Sequence, residues 1–338
     1  GLLYVAHGDG SVFATSNGTG QTTENALGKV LRINPIDPDG AGAASYSTPD
    51  NAFATDGNAS TLAEVYSYGH RNPHNLTFAR SAAGDSVLIA ADIGQDNIDE
   101  VNIVVNGGNY GWSEREGTFA VNTGYGYGVQ TTGNVNGNSA SLLPENDDGK
   151  DYIYPALQLD HNDPMDNNLI SIAGGPVING EYFYGNFAGN SVAPGGQLYS
   201  VSLEELLTQK TSLDTGETVD QLTWLDDHNQ FMLAFDHDNN ASTAALNFNT
   251  FAELLGDVSY LGYTPSHPVT RSDFRFGVSP NGELLVSSKL NGAVFVVSSV
   301  VAVPETSSLA MVLFAAIGVA ANRRRFQRVP ESLRDKMS

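Results

Sequence analysis

Between Tyr66 and Trp112 the chain concentrates the residue types that can do chemistry. Tyr68-Gly69-His70-Arg71-Asn72-Pro73 comes first, then Asp92-Ile93-Gly94-Gln95-Asp96 and Asp99-Glu100-Val101-Asn102, and last Gly107-Gly108-Asn109-Tyr110-Gly111-Trp112. Asn before Pro marks a turn on its own. Inside that turn, Arg71 offers a planar fork of donors suited to a carboxylate or a quinone oxygen. The backbone carbonyls of Gly94 and Gln95 and the carboxylate of Glu100 are hard oxygen ligands of the kind Ca²⁺ takes. Acidic loops of this composition also occur merely solvated, so spacing alone leaves the metal open.

The remaining candidates are weaker. His161 (in Asp160-His161-Asn162-Asp163), His228 and His237 each sit among Asp and Asn, as cation ligands or as acidic surface. His7, beside Gly8-Asp9-Gly10, reads as a loop residue bonded to backbone. The chain has no cysteine, which excludes a disulfide scaffold, a cysteine nucleophile and a thiolate metal site. It carries no Gly-x-Ser-x-Gly elbow, Walker loop or zincin helix. A formal charge of −22 disfavours nucleic acid and anionic membrane surfaces as direct partners.

The elements that must position these residues are mostly strands. Asn-Gly begins at 17, 106, 136, 179, 281 and 291, and Asp-Gly at 9, 39, 56 and 148; both pairs are strong hairpin signals. Apolar strands pair off across such turns: Gly1–Val5 with Gly28–Ile33, Asp85–Ala90 with Glu100–Val105, Glu181–Tyr184 with Gly196–Val201, and Glu283–Val286 with Gly292–Val297. Only Val201–Lys210 and Thr250–Leu255 suggest helices, both short. The pattern predicts an all-β fold of successive sheets, a β-propeller with long loops, with a β-sandwich pair as the alternative.

The two ends differ from the body. Gly1 opens directly on an apolar strand with no Met or leader, so the chain is expected to begin inside a longer protein. At the other end Val303-Pro304-Glu305-Thr306-Ser307-Ser308 precedes the uncharged stretch Leu309–Ala321, then Asn322 and Arg323-Arg324-Arg325. That stretch is short for a spanning helix, and the arginines suit a cytoplasmic stop. The arrangement resembles a PEP-CTERM sorting signal, with Thr306 where a second Pro is usual. The resemblance implies export, at least transient membrane anchoring, display at the cell surface or outside it, and an exosortase-type sorting enzyme as partner.

The central motifs together resemble the glucose/sorbosone dehydrogenase family. Gly69-His70-Arg71-Asn72-Pro73, Gly94-Gln95 with Asp99-Glu100-Val101-Asn102, and Gly107-Gly108-Asn109-Tyr110-Gly111-Trp112 carry the likeness. Gly1–Pro35, Tyr154-Pro155 to His161 with Gly174-Gly175, and Arg275-Phe276-Gly277 with Asn281–Leu284 support it. It implies a six-bladed β-propeller over residues 1–300, with roughly two N-terminal blades outside this chain, and a sorting segment over 301–338 with a hydrophobic helix at about 307–321. It also implies sugar oxidation with pyrroloquinoline quinone (PQQ) and Ca²⁺. Arg71, Asn72 and Arg275 would contact the cofactor. Gly94 and Gln95 would hold Ca²⁺ through their carbonyls, and Glu100 and Tyr110 match positions of a structural Ca²⁺. The family's catalytic His would lie upstream of Gly1. Its cofactor-binding Lys would fall near Phe187–Asn190, where none occurs. A non-catalytic extracellular propeller that binds carbohydrate or protein is the rival reading.

Overall fold

The computed structural model describes residues 1–10, 19–35, 46–95, 98–121, 146–147, 149–161, 170–188, 195–225, 229–231, 233–235, 246–248, 250–256 and 272–297. Its strands gather into successive antiparallel sheets. The first holds β1 (Leu3–His7), β2 (Lys29–Pro35), β3 (Tyr46–Ser47) and β4 (Val65–Tyr68), with β2 central. The second holds β5 (Pro73–Arg80), β6 (Ser86–Asp92) and β7 (Ile98–Ile103) in chain order. Its outer strand arrives after the small hairpin β8 (Arg115–Glu116) and β9 (Phe119–Ala120), as β10 (Leu157–Asp160) beside β7. The third is a meander of β11 (Ile170–Ile178), β12 (Glu181–Ala188), β13 (Leu198–Ser202) and β14 (Asn229–Phe231). A pair, β15 (Leu233–Phe235) and β16 (Leu246–Phe248), follows, and then β17 (Phe274–Val278), β18 (Leu284–Ser288) and β19 (Val294–Val297).

The four strand pairs expected from the apolar runs are all present: β1 with β2, β6 with β7, β12 with β13, and β18 with β19. Turn chemistry explains the tight hairpin that leads into β12. Asn179 and Gly180 both adopt positive φ (53° and 84°) between β11 and β12, which is what a two-residue hairpin turn of matching twist requires. The two short helices form where expected, as α1 (Leu203–Thr208) and α2 (Phe251–Gly256).

The sheets stack as propeller blades do, with the first strands β5, β11 and β17 side by side. Gly174 and Gly175 of β11 make that approach possible. A Cβ on Gly174 would meet Ala91 and Asn75, and one on Gly175 would meet the ring of Phe276 at 2.8 Å. Thr77 Oγ1 donates to the Gly175 carbonyl across the same gap (2.7 Å). β6 is covered on both faces, which accounts for its unbroken apolar run. Val87, Ile89 and Ala91 join a core shared with the third and last sheets, while Leu88 and Ala90 pack with Val30 and Tyr110 towards the first. Among the described residues no helix is long and apolar enough to cross a membrane. The apolar stretch Leu309–Ala321, its arginines, and His228 and His237 lie outside the described residues.

Candidate active site at the Arg71 turn

The turn from β4 to β5 carries Arg71 and Asn72 and is held from β6. Asp92, the last residue of β6, accepts the backbone N–H of Asn72 (2.6 Å) and of Arg71 (3.3 Å). Its second oxygen also lies 3.1 Å from His70 Nδ1, so that nitrogen donates, and His70 Nε2 lies 2.9 Å from Ser67 Oγ. The His70 ring stacks on Tyr110 with centroids 4.5 Å apart. From the other side, Asp9 N–H donates to the Arg71 carbonyl (2.8 Å), and Trp112 Nε1 donates to the Asp9 carboxylate (2.9 Å). The Arg71 guanidinium donates to the Ile93 carbonyl (3.0 Å), and its Nε is a buried donor with no hydrogen-bond partner.

The β6–β7 loop forms the opposite wall. Gly94 N–H donates to Asp99 Oδ1 (2.9 Å), and the N–H groups of Gln95 and Ile98 both donate to Glu116 Oε1 (2.9 Å each). A trans peptide points its C=O opposite to the following N–H, so the Gly94 carbonyl faces away from Glu116. No side chain fits at Gly94, because a Cβ would run into the Ile98 carbonyl and lie 2.7 Å from Glu116 Oε1. Asp99 also accepts the Ile172 N–H (2.7 Å) and pairs with His161 Nε2 (2.9 Å), tying this loop to β11.

Arg71, Asp92, Gly94, Glu100, Trp112 and Glu116 line one cavity with room for about one water-sized group. Glu100 faces Asp92 across the β6–β7 ladder. Burial, and then the charge of Asp92, push its carboxyl up to about 8, against hydrogen bonds from Asn102 (2.9 Å) and the Gly117 N–H (2.6 Å). Among the described residues no three His, Asp or Glu side chains converge as a metal cage. A hard cation here therefore draws on backbone carbonyls or on oxygens of a ligand. The donor types suit a hard cation and a ligand oxygen: the lining offers oxygen atoms and one guanidinium with an open Nε, and the cavity's size admits one such ion or oxygen rather than a whole quinone.

The structure brings Arg71, Gly94 and Glu100 together at this cavity, with Asn72 and Gln95 adjoining them in the same two loops. Tyr110 lies elsewhere. Its hydroxyl donates to the Ile103 carbonyl (2.7 Å) and accepts the Val105 N–H (2.9 Å) at the far end of β7, and burial pushes its ionisation upward. Arg275 forms a separate cluster. Its Nη2 donates to His74 Nε2 (2.9 Å), its Nη1 to the Phe274 carbonyl (2.7 Å), and its guanidinium sits 5.6 Å from the Phe187 ring centre. Since Arg275 only donates, His74 carries its proton on Nδ1, which donates to Asn75 Oδ1 (2.8 Å).

Sequence reasoning gave no role to Asp92, Asp99, Glu116, Ser67 or His74. Asp92 lay just beyond the expected strand Asp85–Ala90, and only the observed register sets it opposite Glu100. Glu116 carries no local signal.

A supporting loop completes the site. The Lys29 ammonium, wholly buried, donates to the carbonyls of Thr19 (2.8 Å), Gly20 (3.2 Å) and Leu27 (2.6 Å), and burial pulls it down to about 8. It secures the 3₁₀ turn Thr19–Gln21, whose Gln21 amide donates to Asn109 Oδ1 (2.9 Å) and the Trp112 carbonyl (2.8 Å).

Residues 1–137 match the family model described as Glucose / Sorbosone dehydrogenase. The HIPL1 protein of Arabidopsis thaliana is 30% identical over 212 residues, covering 58% of this chain and 28% of that protein. Quinoprotein glucose dehydrogenase B of Acinetobacter calcoaceticus is 33% identical over 108 residues, 32% of this chain and 19% of that protein. The chain thus matches less than a third of the length of either curated relative. A solved structure of the PQQ-bound form of aldose sugar dehydrogenase from Streptomyces coelicolor aligns over 86% of this chain and 54% of that one, at 18% identity and a TM-score of 0.38. The cavity-lining residues all lie inside residues 1–137, the stretch that is similar to the glucose/sorbosone dehydrogenase family model.

Proposed function

We propose that this chain carries the cofactor-facing part of a sugar dehydrogenase that oxidises the anomeric carbon of an aldose with PQQ and Ca²⁺. The observation that carries the reading is the Arg71 guanidinium, with its buried Nε lacking a partner, in one cavity with Gly94 and Glu100. PQQ, when bound, supplies the hydride acceptor. Arg71 would donate to a ligand oxygen on which negative charge grows. Asn72 would add a contact from the same turn, and the carbonyls of Gly94 and Gln95 would hold Ca²⁺. Trp112, itself buried, forms an apolar part of the cavity wall. Arg275, held by His74 over Phe187, would offer a second cation to an anionic ligand.

The test is a PQQ titration of the purified protein with and without Ca²⁺, followed by dye reduction on adding aldoses. A Ca²⁺-dependent spectral change with sugar-dependent reduction supports the enzyme. A flat titration on the complete protein sinks it and leaves a carbohydrate- or protein-binding propeller. We also propose that residues 301–338 direct export and surface display through an exosortase-type enzyme. Fractionation of cells expressing the protein with and without Arg323, Arg324 and Arg325 tests that.

A further inference from the structure

We propose that Ser67, His70 and Asp92 form a buried positioning relay that sets the orientation of the Arg71–Asn72 turn. This deepens the reading above and rests on it only for the link to ligand affinity. The three side chains form a chain of contacts, with Ser67 Oγ 2.9 Å from His70 Nε2 and His70 Nδ1 3.1 Å from Asp92 Oδ2. The arrangement is that of a hydrolytic triad, but Ser67 and His70 are wholly enclosed and Asp92 is 2% exposed. No substrate can reach Ser67, so nucleophilic chemistry is excluded by access.

What the relay does reach is the backbone of the turn. Asp92 ends β6 in the second sheet, and Ser67 belongs to β4 in the first. The Arg71–Asn72 turn is the connection between the two sheets. Its two successive N–H groups converge on the Asp92 carboxylate, at 3.3 and 2.6 Å. Charge-assisted bonds of this kind are about twice as strong as neutral ones, and they are directional. His70 is the third donor to that carboxylate, and Ser67 fixes the imidazole from behind. The Tyr110 ring stacked on His70 leaves the imidazole little freedom to tilt. With the peptide planes at 71 and 72 clamped, Arg71 needs one side-chain bond, to the Ile93 carbonyl, to hold its guanidinium at the cavity with Nε free to donate. Asp92, His70 and Ser67 are therefore positioning residues, graded in effect by their distance from the turn.

The test is amide hydrogen exchange at Arg71 and Asn72 in the full chain, read against amides of β12 and β13 as an internal control. D92N keeps the shape and removes the carboxylate. It should speed exchange at Arg71 and Asn72 about tenfold or more, the loss of one charge-assisted hydrogen bond, with the control amides unchanged. S67A should give a smaller local change of the same sign, and S67T, which keeps a hydroxyl, should restore the wild-type rate. The His70 Nδ1 proton should resonate far downfield in wild type and shift upfield in D92N. In protein that binds PQQ, D92N should weaken binding about tenfold without altering the control amides. Unchanged exchange at 71 and 72 in D92N overturns the proposal, as does a uniform rise at all amides. Should D92N fail to fold, S67A decides alone, a local change supporting the relay and none overturning it. Failure of wild type to bind PQQ, with the local exchange effect present, would end the dehydrogenase reading and leave the relay standing.

Discussion

The second and third sheets are built alike and filled differently. Each has four antiparallel strands, and each buries its two middle strands. In the third, the interior is aromatic. Tyr182, Tyr184 and Tyr199 are almost fully enclosed, with Tyr184 stacked between the other two at centroid distances of 5.9 and 5.4 Å. In the second, the same depth at the β6–β7 end holds Asp92, Asp99, Glu100 and Asn102. Buried carboxylates cost desolvation that buried rings do not, so they persist where backbone N–H groups and cationic partners answer them. One sheet supplies rigidity, and its neighbour places charge beside a cavity.

Truncating the aromatic sheet should have the largest effect. Tyr184→Ala removes an enclosed ring stacked on two others and should cost about 3–5 kcal/mol in denaturant unfolding. A cost under about 1 kcal/mol would erase the contrast. Gly94→Ala tests the crowding of the charged sheet. The Ile98 carbonyl must move, at a cost of about 1–3 kcal/mol, and any Ca²⁺-induced rise in melting temperature should shrink or vanish.

Glu100→Gln sharpens the comparison through pH. The folded carboxyl titrates at about 8, above its ordinary value of 4.5. Its contribution to stability is therefore complete below about 4.5 and is lost as pH rises through 8. The variant should flatten the fall in stability over that window, by at most about 1.4 kcal/mol per pH unit, and be the more stable protein at pH 8 and above. Identical slopes would mean the cavity is wetter than its geometry implies. Arg71→Lys should leave unfolding nearly unchanged and weaken PQQ binding about tenfold or more, because an ammonium cannot reproduce the fork. Lys150→Ala, breaking an ion pair with Glu114 in which both side chains are over 40% exposed, should move stability by less than about 0.5 kcal/mol.

Much of the architecture was legible because strands announce themselves locally. The run Val87–Ala91 and the doublet Asn179-Gly180 each specify a neighbour a few residues away. The motif at 69–73 also marked a turn, which the structure sets between β4 and β5. The support behind it was not legible, since Glu116 meets Gln95 across 21 positions and Arg275 meets His74 across 201. No periodicity or turn rule reaches so far.

The sequence by itself determined the all-β pattern, the strand pairs, the two short helices and the cluster of Arg71, Gly94 and Glu100 as candidate chemistry. Alternation and turn residues act over a few bonds, so they can be read from the chain alone. Only the tertiary structure decided that Asp92 clamps the Arg71 turn, that Tyr110 turns its hydroxyl to the far end of β7, and that Arg275 rests on His74. Those outcomes depend on which sheets stack and on which buried polar groups find partners there, a balance of desolvation and hydrogen bonding that exists only once the blades are packed.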